Sequence, residues 1–337
     1  MLPALGLFAV FALAPMGVVV ALSFTHYDGV TAPVSAGFAN WSRFLHDSTT
    51  HHAIWLSLEV MVLTWVVQTP ISLLLGVFVS GRQRYRGFLA AVFFVPLLFS
   101  AAAIAVTWKN LLDPNFGLVA NLTHRLGLDW VPTDWLGNPD HALITVVVII
   151  SWQFIPFHTL LYQAGARQIP NTVYEAARID GAGRIGTFFS ITLPLLRNTI
   201  VTSSTLILVG SLTYFDLIFI VTGGGPGFAT RILPLDMYIN GFERADMGYA
   251  SAISVVLVAA GLALSLVVIR LTGFGRFRSA HEGAWPRRRP RCTPSSLLPR
   301  TLPSRVFPVS AARCPEFRPC RCRAGAWSDT EIGRAHV

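Results

Sequence analysis

Few residues in this chain could do chemistry, and their spacing excludes most catalytic arrangements. His51 and His52 are adjacent, His141 and His158 stand apart, and no two of the four have the i, i+4 spacing of a helical metal pair. All four cysteines lie late in the chain, at Cys292, Cys314, Cys320 and Cys322. Cys320-Arg321-Cys322 lacks the two-residue spacer of a zinc or redox pair, so no metal site is expected. No glycine-rich loop is followed by Lys-Ser or Lys-Thr, so the phosphate cradle of an ATPase is missing and the chain is expected to bind no cofactor itself. Without a nucleophile beside a base, an embedded enzyme is a poor reading. Two ionisable residues, Glu59 and Asp216, sit inside apolar runs. A charge there is costly unless it faces a bundle interior or a wet cavity. With Trp152, Gln153, Tyr214 and Phe215, which can stack on or hydrogen-bond to a small molecule, they are the candidate solute path.

The most specific spacing belongs to a docking surface rather than to a catalyst. Between Pro170 and Pro194, polar and small residues interrupt long apolar runs. Asn171 is the expected N-cap of a short helix over Thr172 to Ile179, and Asp180-Gly181 the turn that ends it. A second short helix is expected to about Ser190. Ala176, Ala177, Ala182, Gly183 and Gly186 leave room for another protein's backbone to come close. Glu175 offers the neighbouring basic groups a charge, and Arg178 lies at i+3 as an intrahelical partner.

The elements that must carry these residues are set by composition. At 337 residues, 53% hydrophobic and 13% charged, the chain is too apolar for a soluble domain, which has about 25% charged residues. Its mean hydropathy is +0.55. Apolar runs over 2–24, 54–80, 88–108, 141–164, 198–222 and 249–271 each suit a helix of the ~20 residues that cross a bilayer. An all-α, polytopic bundle of about six membrane helices follows, with a kink expected at Pro70 and with Pro156 inside the fourth run. No basic residue precedes the first run, which places the natural start upstream of Met1. Arg82, Arg84 and Arg86, and then Arg167, Arg178, Arg184 and Arg197, concentrate in two loops, whereas the loop over 25–52 holds one base. The arginine-rich loops, and both ends of the body near Arg276 and Arg278, are therefore expected in the cytoplasm. Trp130 and Trp135 suit the opposite membrane boundary, Gly223 to Gly227 a sharp reversal, and 232–248 the outer surface.

The net charge of +9 invites a nucleic-acid reading, but residues 279–337 hold +7 of it, with eleven arginines and eight of the 21 prolines. No period of 3.6 or 2 runs through them. Glu331 to Val337 reads as a translated library adapter. We therefore take 279–337 as a non-native or disordered tail, frameshifted from near Gly283, and 1–278 as the membrane body. No nucleic-acid partner is expected.

Glu175-Ala176-Ala177, three residues, Gly181, nine residues, then Ile191-Thr192-Leu193-Pro194 resembles the EAA motif of ATP-binding-cassette importer permeases. Trp135 to Pro139, Tyr174 to Gly181, Thr222 to Gly227 and Gly248 to Ala252 stand in the order of the binding-protein-dependent, maltose-type carbohydrate branch, first-permease type. The resemblance implies a type I importer transmembrane domain in a bacterial or archaeal inner membrane. It implies a coupling loop over 165–197 in which Tyr174, Glu175, Ala176, Ala177, Asp180, Gly181, Ile191, Leu193 and Pro194 meet the ATPase. It implies as partners a second permease, two ATPase subunits that hold ATP and Mg, an extracytoplasmic solute-binding protein and the lipid bilayer. A non-sugar solute such as glycerol phosphate, or an ion-coupled secondary transporter, is the alternative, though the latter needs internal repeats that the halves do not show.

Overall fold

In hydrocarbon a backbone polar group finds no water, so a chain this apolar closes its hydrogen bonds within helices. The computed structural model describes residues 2–81, 84–127 and 132–272, and among them the only strands are β1 (Thr25–His26) and β2 (Val34–Ser35), an antiparallel hairpin. Arg82, Trp130, Arg276, Arg278 and the tail from Ser279 lie outside the described residues. α1 (Leu2–Phe8) and α2 (Ala14–Leu22) join through a π turn at Ala9–Leu13 into one apolar rod.

After α3 (Ala39–His46), α4 (Ser48–Val79) runs for 32 residues, about 48 Å at the helical rise. It starts six residues before the expected Ile54 because Asp47 caps it, accepting the Thr49 amide at 2.9 Å. α8 (Pro139–Arg167) is capped in the same way by Asn138, which accepts the Asp140 amide at 2.9 Å. Pro70 and Pro156 lie inside these helices without ending them. α4 and α8 pack along each other, and Gly76 sets how closely. A Cβ there would stand 2.5 Å from Cβ of Tyr162 and 2.9 Å from the Thr159 carbonyl oxygen, so only glycine permits the approach.

Two expected spans are not single helices. α5 (Arg84–Phe94) ends in a 3₁₀ turn at Val95–Leu98 that contains Pro96, and α6 (Ala101–Leu111) leaves at 94°. Proline withdraws an amide, and the Ser100 hydroxyl accepts the Ala103 amide at 3.2 Å to start the new helix. α7 (Leu118–Leu126) follows in the next connection. Beyond α8 come α9 (Asn171–Ile179), α10 (Arg184–Thr187), a π turn at Phe188–Thr192 and α11 (Leu193–Leu195). α12 (Arg197–Ser211) departs from that loop at 69°. It too stops short of the expected end at 222, because Ser211 and Thr213 turn their hydroxyls back onto the carbonyls of Leu208 and Gly210. After four irregular residues, helix resumes as α13 (Asp216–Val221). Among the described residues four helices can cross a membrane alone, and up to six if each bent pair is one span, the expected helix bundle.

Gly223, Gly224 and Gly227 reverse the chain with φ of +60°, +92° and +55°, a region open to glycine. The segment that follows corrects the expectation of a surface position for 232–248. Residues Arg231 to Asp236 are all buried, and α14 (Leu233–Tyr238) is packed against α4 and α15 (Met247–Thr272). Arg231 pairs with Asp236 at 2.7 Å, and the second Asp236 oxygen accepts the Thr50 hydroxyl at 3.0 Å. The Leu233 amide donates to Ser57 at 2.8 Å. These partners satisfy polar groups whose burial would otherwise be prohibitive. Apolar clusters line α4 in turn: Ala53, Leu233 and Tyr249 near its start, Val60, Ile150 and Ile218 in the middle, and Leu73, Tyr162 and Leu196 near its end.

Candidate functional site

α9 is amphipathic in the plainest sense: Ala177 is buried, and Glu175 and Ala176 are exposed. Pro170, not Asn171, occupies the cap position, and Asn171 is the first helical residue. The other end closes as expected. Asp180 is the last cap residue, Gly181 takes φ +76°, and the Ala182 and Gly181 amides donate to the Ala177 and Arg178 carbonyls at 2.9 and 3.1 Å. That pair of bonds is a Schellman closure, which needs a residue at ease in the left-handed region. The Tyr174 and Thr192 hydroxyls lie 3.3 Å apart and tie α9 to the π turn. Ile191 and Leu193 are half-buried beside it, and Pro194 is exposed just before the helix restarts at Arg197.

The structure thus brings Tyr174, Glu175, Ala176, Ala177, Asp180, Gly181, Ile191, Leu193 and Pro194 into one loop, at the end of α4 and α8 away from Asp47. Glu175 forms no ion pair among the described residues, so Arg178 does not serve as its intrahelical partner. The sequence reading took this surface to be made of small residues. It missed Ile179, Ile185 and Phe189, which are 86%, 76% and 61% exposed around the same turn. Three large apolar side chains are thus exposed within eleven residues of one loop. Their signal in the sequence was present, since a loop so rich in glycine has little core in which to hide them. Behind α9 lies a cavity of about 900 Å³ whose wall includes Arg167, Arg178 and Arg184.

A second cavity, of about 360 Å³, opens where α12 breaks. Gln153, Tyr214 and Asp216 line it, together with Phe154, His158 and Phe215. Tyr214 packs on Phe154 with centroids 5.3 Å apart, and His158 shares a 3.0 Å hydrogen bond with Ser203. Gln153 is 6% exposed, and its Oε1 has no hydrogen-bond partner. The irregular backbone at 212–215 is in its proper place, since non-helical chain at this depth is tolerated where it lines a cavity. Trp152 points elsewhere, edge to face with Trp108 at 5.6 Å, and is 43% exposed. Glu59 is exposed on α4 and lines neither cavity. The structure therefore gathers four of the six expected path residues, Gln153, Tyr214, Phe215 and Asp216, and leaves Glu59 and Trp152 apart, because a helix turns neighbours and near-neighbours to different faces.

The fold and the sequence point the same way when compared with known proteins. The chain superposes on a subunit of a bacterial ABC transporter that imports the acidic polysaccharide alginate, with a TM-score of 0.71 over 81% of this chain and 93% of that one. At 22% identity that likeness speaks for the fold alone. It is 33% identical to the probable ABC transporter permease protein YurN of Bacillus subtilis, over 71% of this chain and 83% of the relative. It is 33% identical to the trehalose/maltose transport system permease protein MalF of Thermococcus litoralis, over 72% and 80%. It is 32% identical to the diacetylchitobiose uptake system permease protein NgcF of Streptomyces coelicolor, over 85% of each. Residues 68–274, which include both cavities' helices and the α9 loop, match the model of one family. This chain belongs to that family, the inner membrane components of binding-protein-dependent transport systems.

Proposed function

We propose that this subunit forms part of the path of an ATP-driven carbohydrate importer and is driven through α9. Beside it would work a second permease, two ATPase subunits carrying ATP and Mg, and a solute-binding protein on the far side of the membrane. The carbohydrate reading is supported by relatives named for trehalose and maltose and for diacetylchitobiose, and by a cavity that mixes aromatic rings with hydrogen-bonding groups. The cytoplasmic position of the loop is supported by its four arginines.

One observation carries the coupling role: a Schellman-closed helix presents Glu175 and Gly181 outward, ringed by exposed Ile179, Ile185 and Phe189. α9 is tied through Tyr174 to Thr192 of the π turn, and Phe188 and Leu193 of that stretch pack on the cluster of Leu73, Tyr162, Ala166 and Leu196, so a push on α9 reaches the ends of α4, α8 and α12 together. Tilting those helices changes the α12 break, where the smaller cavity lies, and alternating access would result. Gly181→Trp is the direct test. It places a bulky side chain where φ is +76°, a backbone state that costs a non-glycine residue about 1–2 kcal/mol, and in the middle of the docking face. Association with the ATPase and ATP-driven uptake are both expected to fall at least tenfold; native values for both would refute the assignment.

A further inference from the structure

Four aromatic rings lead from the smaller cavity to the end of the bundle opposite α9. Phe215, in the cavity wall, stacks on Phe219 with centroids 5.2 Å and planes 13° apart. Tyr238 meets both, 5.1 Å from Phe215 and 5.0 Å from Phe219. Phe242 stacks on Tyr238 at 5.2 Å and 29°. The first three rings are half-buried and Phe242 is 66% exposed, so the row keeps an open side along its length. Phe215, Phe219 and Tyr238 pack one side on the cluster of Val60, Ile150 and Ile218 and leave the other uncovered.

The row is also held still. Tyr238 and Phe242 ride α14 and the π turn at Ile239–Glu243, and α14 is pinned by the buried Arg231–Asp236 pair, by Asp236 to Thr50 of α4 and by the Leu233 amide to Ser57. Its inner end is the cavity that Gln153 lines, all but buried, with an Oε1 that has no hydrogen-bond partner among the described residues. Such an orphan is costly, and a solute hydroxyl that met it as the side chain turned into the cavity would relieve it. A solute that uses both features must carry hydroxyls at its edge and a flat C–H face that can lie on a ring. An alkane leaves Gln153 unsatisfied, and a small ion gains little from phenyl rings. Pyranose sugars have both features.

We propose that Phe242, Tyr238, Phe219 and Phe215 form a stacking track along which a pyranose-bearing solute passes from the α14 end of the bundle into the Gln153 cavity. The track rests on the carbohydrate reading above and adds the residues that favour ring-bearing solutes. Neighbouring rings about 5 Å apart make a series of similar weak sites. A series of that kind lets a molecule enter without trapping it, as in multi-site conduction.

The test uses the assembled complex in proteoliposomes, with radiolabelled maltose, trehalose and diacetylchitobiose as probes. For the sugar that the native complex imports, Phe242→Leu and Phe219→Leu are each expected to lower the initial rate about five- to tenfold, as the loss of one aromatic contact implies. Phe242→Trp, which restores a ring, is expected to recover the native rate. Phe11→Leu, at a side chain 75% exposed on the N-terminal rod, serves as the control for loss of a surface ring and is expected to import as the native complex does. Native rates in both leucine variants overturn the track and leave the carbohydrate reading standing. ATP-driven uptake of glycerol 3-phosphate with none of the three sugars overturns the reading on which the track rests. Should Phe219→Leu fail to assemble, Phe242→Leu decides alone, because its ring is too exposed to matter much for folding.

Discussion

Asp47 shows how much one side chain sets. Partial burial pushes its carboxyl up, but hydrogen bonds from the Thr49 amide, the Tyr249 hydroxyl and the Thr50 amide, with the Arg43 charge, outweigh that and hold it below the usual carboxylate value. A carboxyl lowered in the folded state lends stability that is complete above its unfolded value and disappears as pH falls through its folded one. The assembled protein is therefore expected to lose thermal stability below about pH 4, more steeply than the Asp47→Asn variant, which cannot titrate there. Parallel melting curves of the two from pH 6 to pH 3 check it; identical slopes would contradict the role given to Asp47. At this scale the sequence spoke clearly for Gly181, because a turn after a short helix calls for a left-handed residue. It named Gln153 as a path candidate but not its unpartnered Oε1, which is visible only once α8 and α12 are assembled.

Among the elements, α4 and α8 were legible from apolar length, and their caps were not. Asp47 and Asn138 extend both helices beyond the apolar runs, since a cap acts on the backbone and not on hydropathy. The breaks in the third and fifth spans were hidden for the reverse reason: apolar residues continue through Val95–Leu98 and past Ser211, and the helix fails on local hydrogen bonding. Gly76 belongs to this scale because it sets a distance between two helices. Gly76→Leu must push α8 away from α4 beside the cluster beneath α9, and overpacking of this kind costs about 1–3 kcal/mol. Its melting temperature is expected to fall by several degrees, with uptake reduced more than ATPase association. An unchanged melting temperature would mean that the helices separate without cost.

For the whole molecule, composition set an expected body of about 278 residues apart from the arginine-, proline- and cysteine-rich end and called for about six spans, where the described residues hold four single helices and two bent pairs. It could not give the inward turn of residues 231 to 236, because an Arg and an Asp five apart read as surface charges until they pair in the interior. That buried pair locks α14 to α4. Asp236→Asn leaves the Arg231 guanidinium buried without its counter-charge, and a loss of about 3–5 kcal/mol is expected. The double variant Arg231→Met with Asp236→Leu should recover much of it, as calorimetry of the purified complex would show. No recovery would mean that the hydrogen bonds to Thr50, and not the ion pair, hold the segment.

The coupling account depends on α9 touching the ATPase, and the described body has no cysteine to confuse a chemical probe. Ala176→Cys, in a chain whose four distal cysteines are changed to serine, offers a single thiol on the exposed face of α9. Treated with a short thiol-to-amine cross-linker in inside-out membrane vesicles, it is expected to yield a covalent permease–ATPase adduct that weakens when ATP drives the complex through its cycle. A thiol that reacts with a membrane-impermeant maleimide from the opposite side, or that is labelled fully yet gives no adduct, would contradict it.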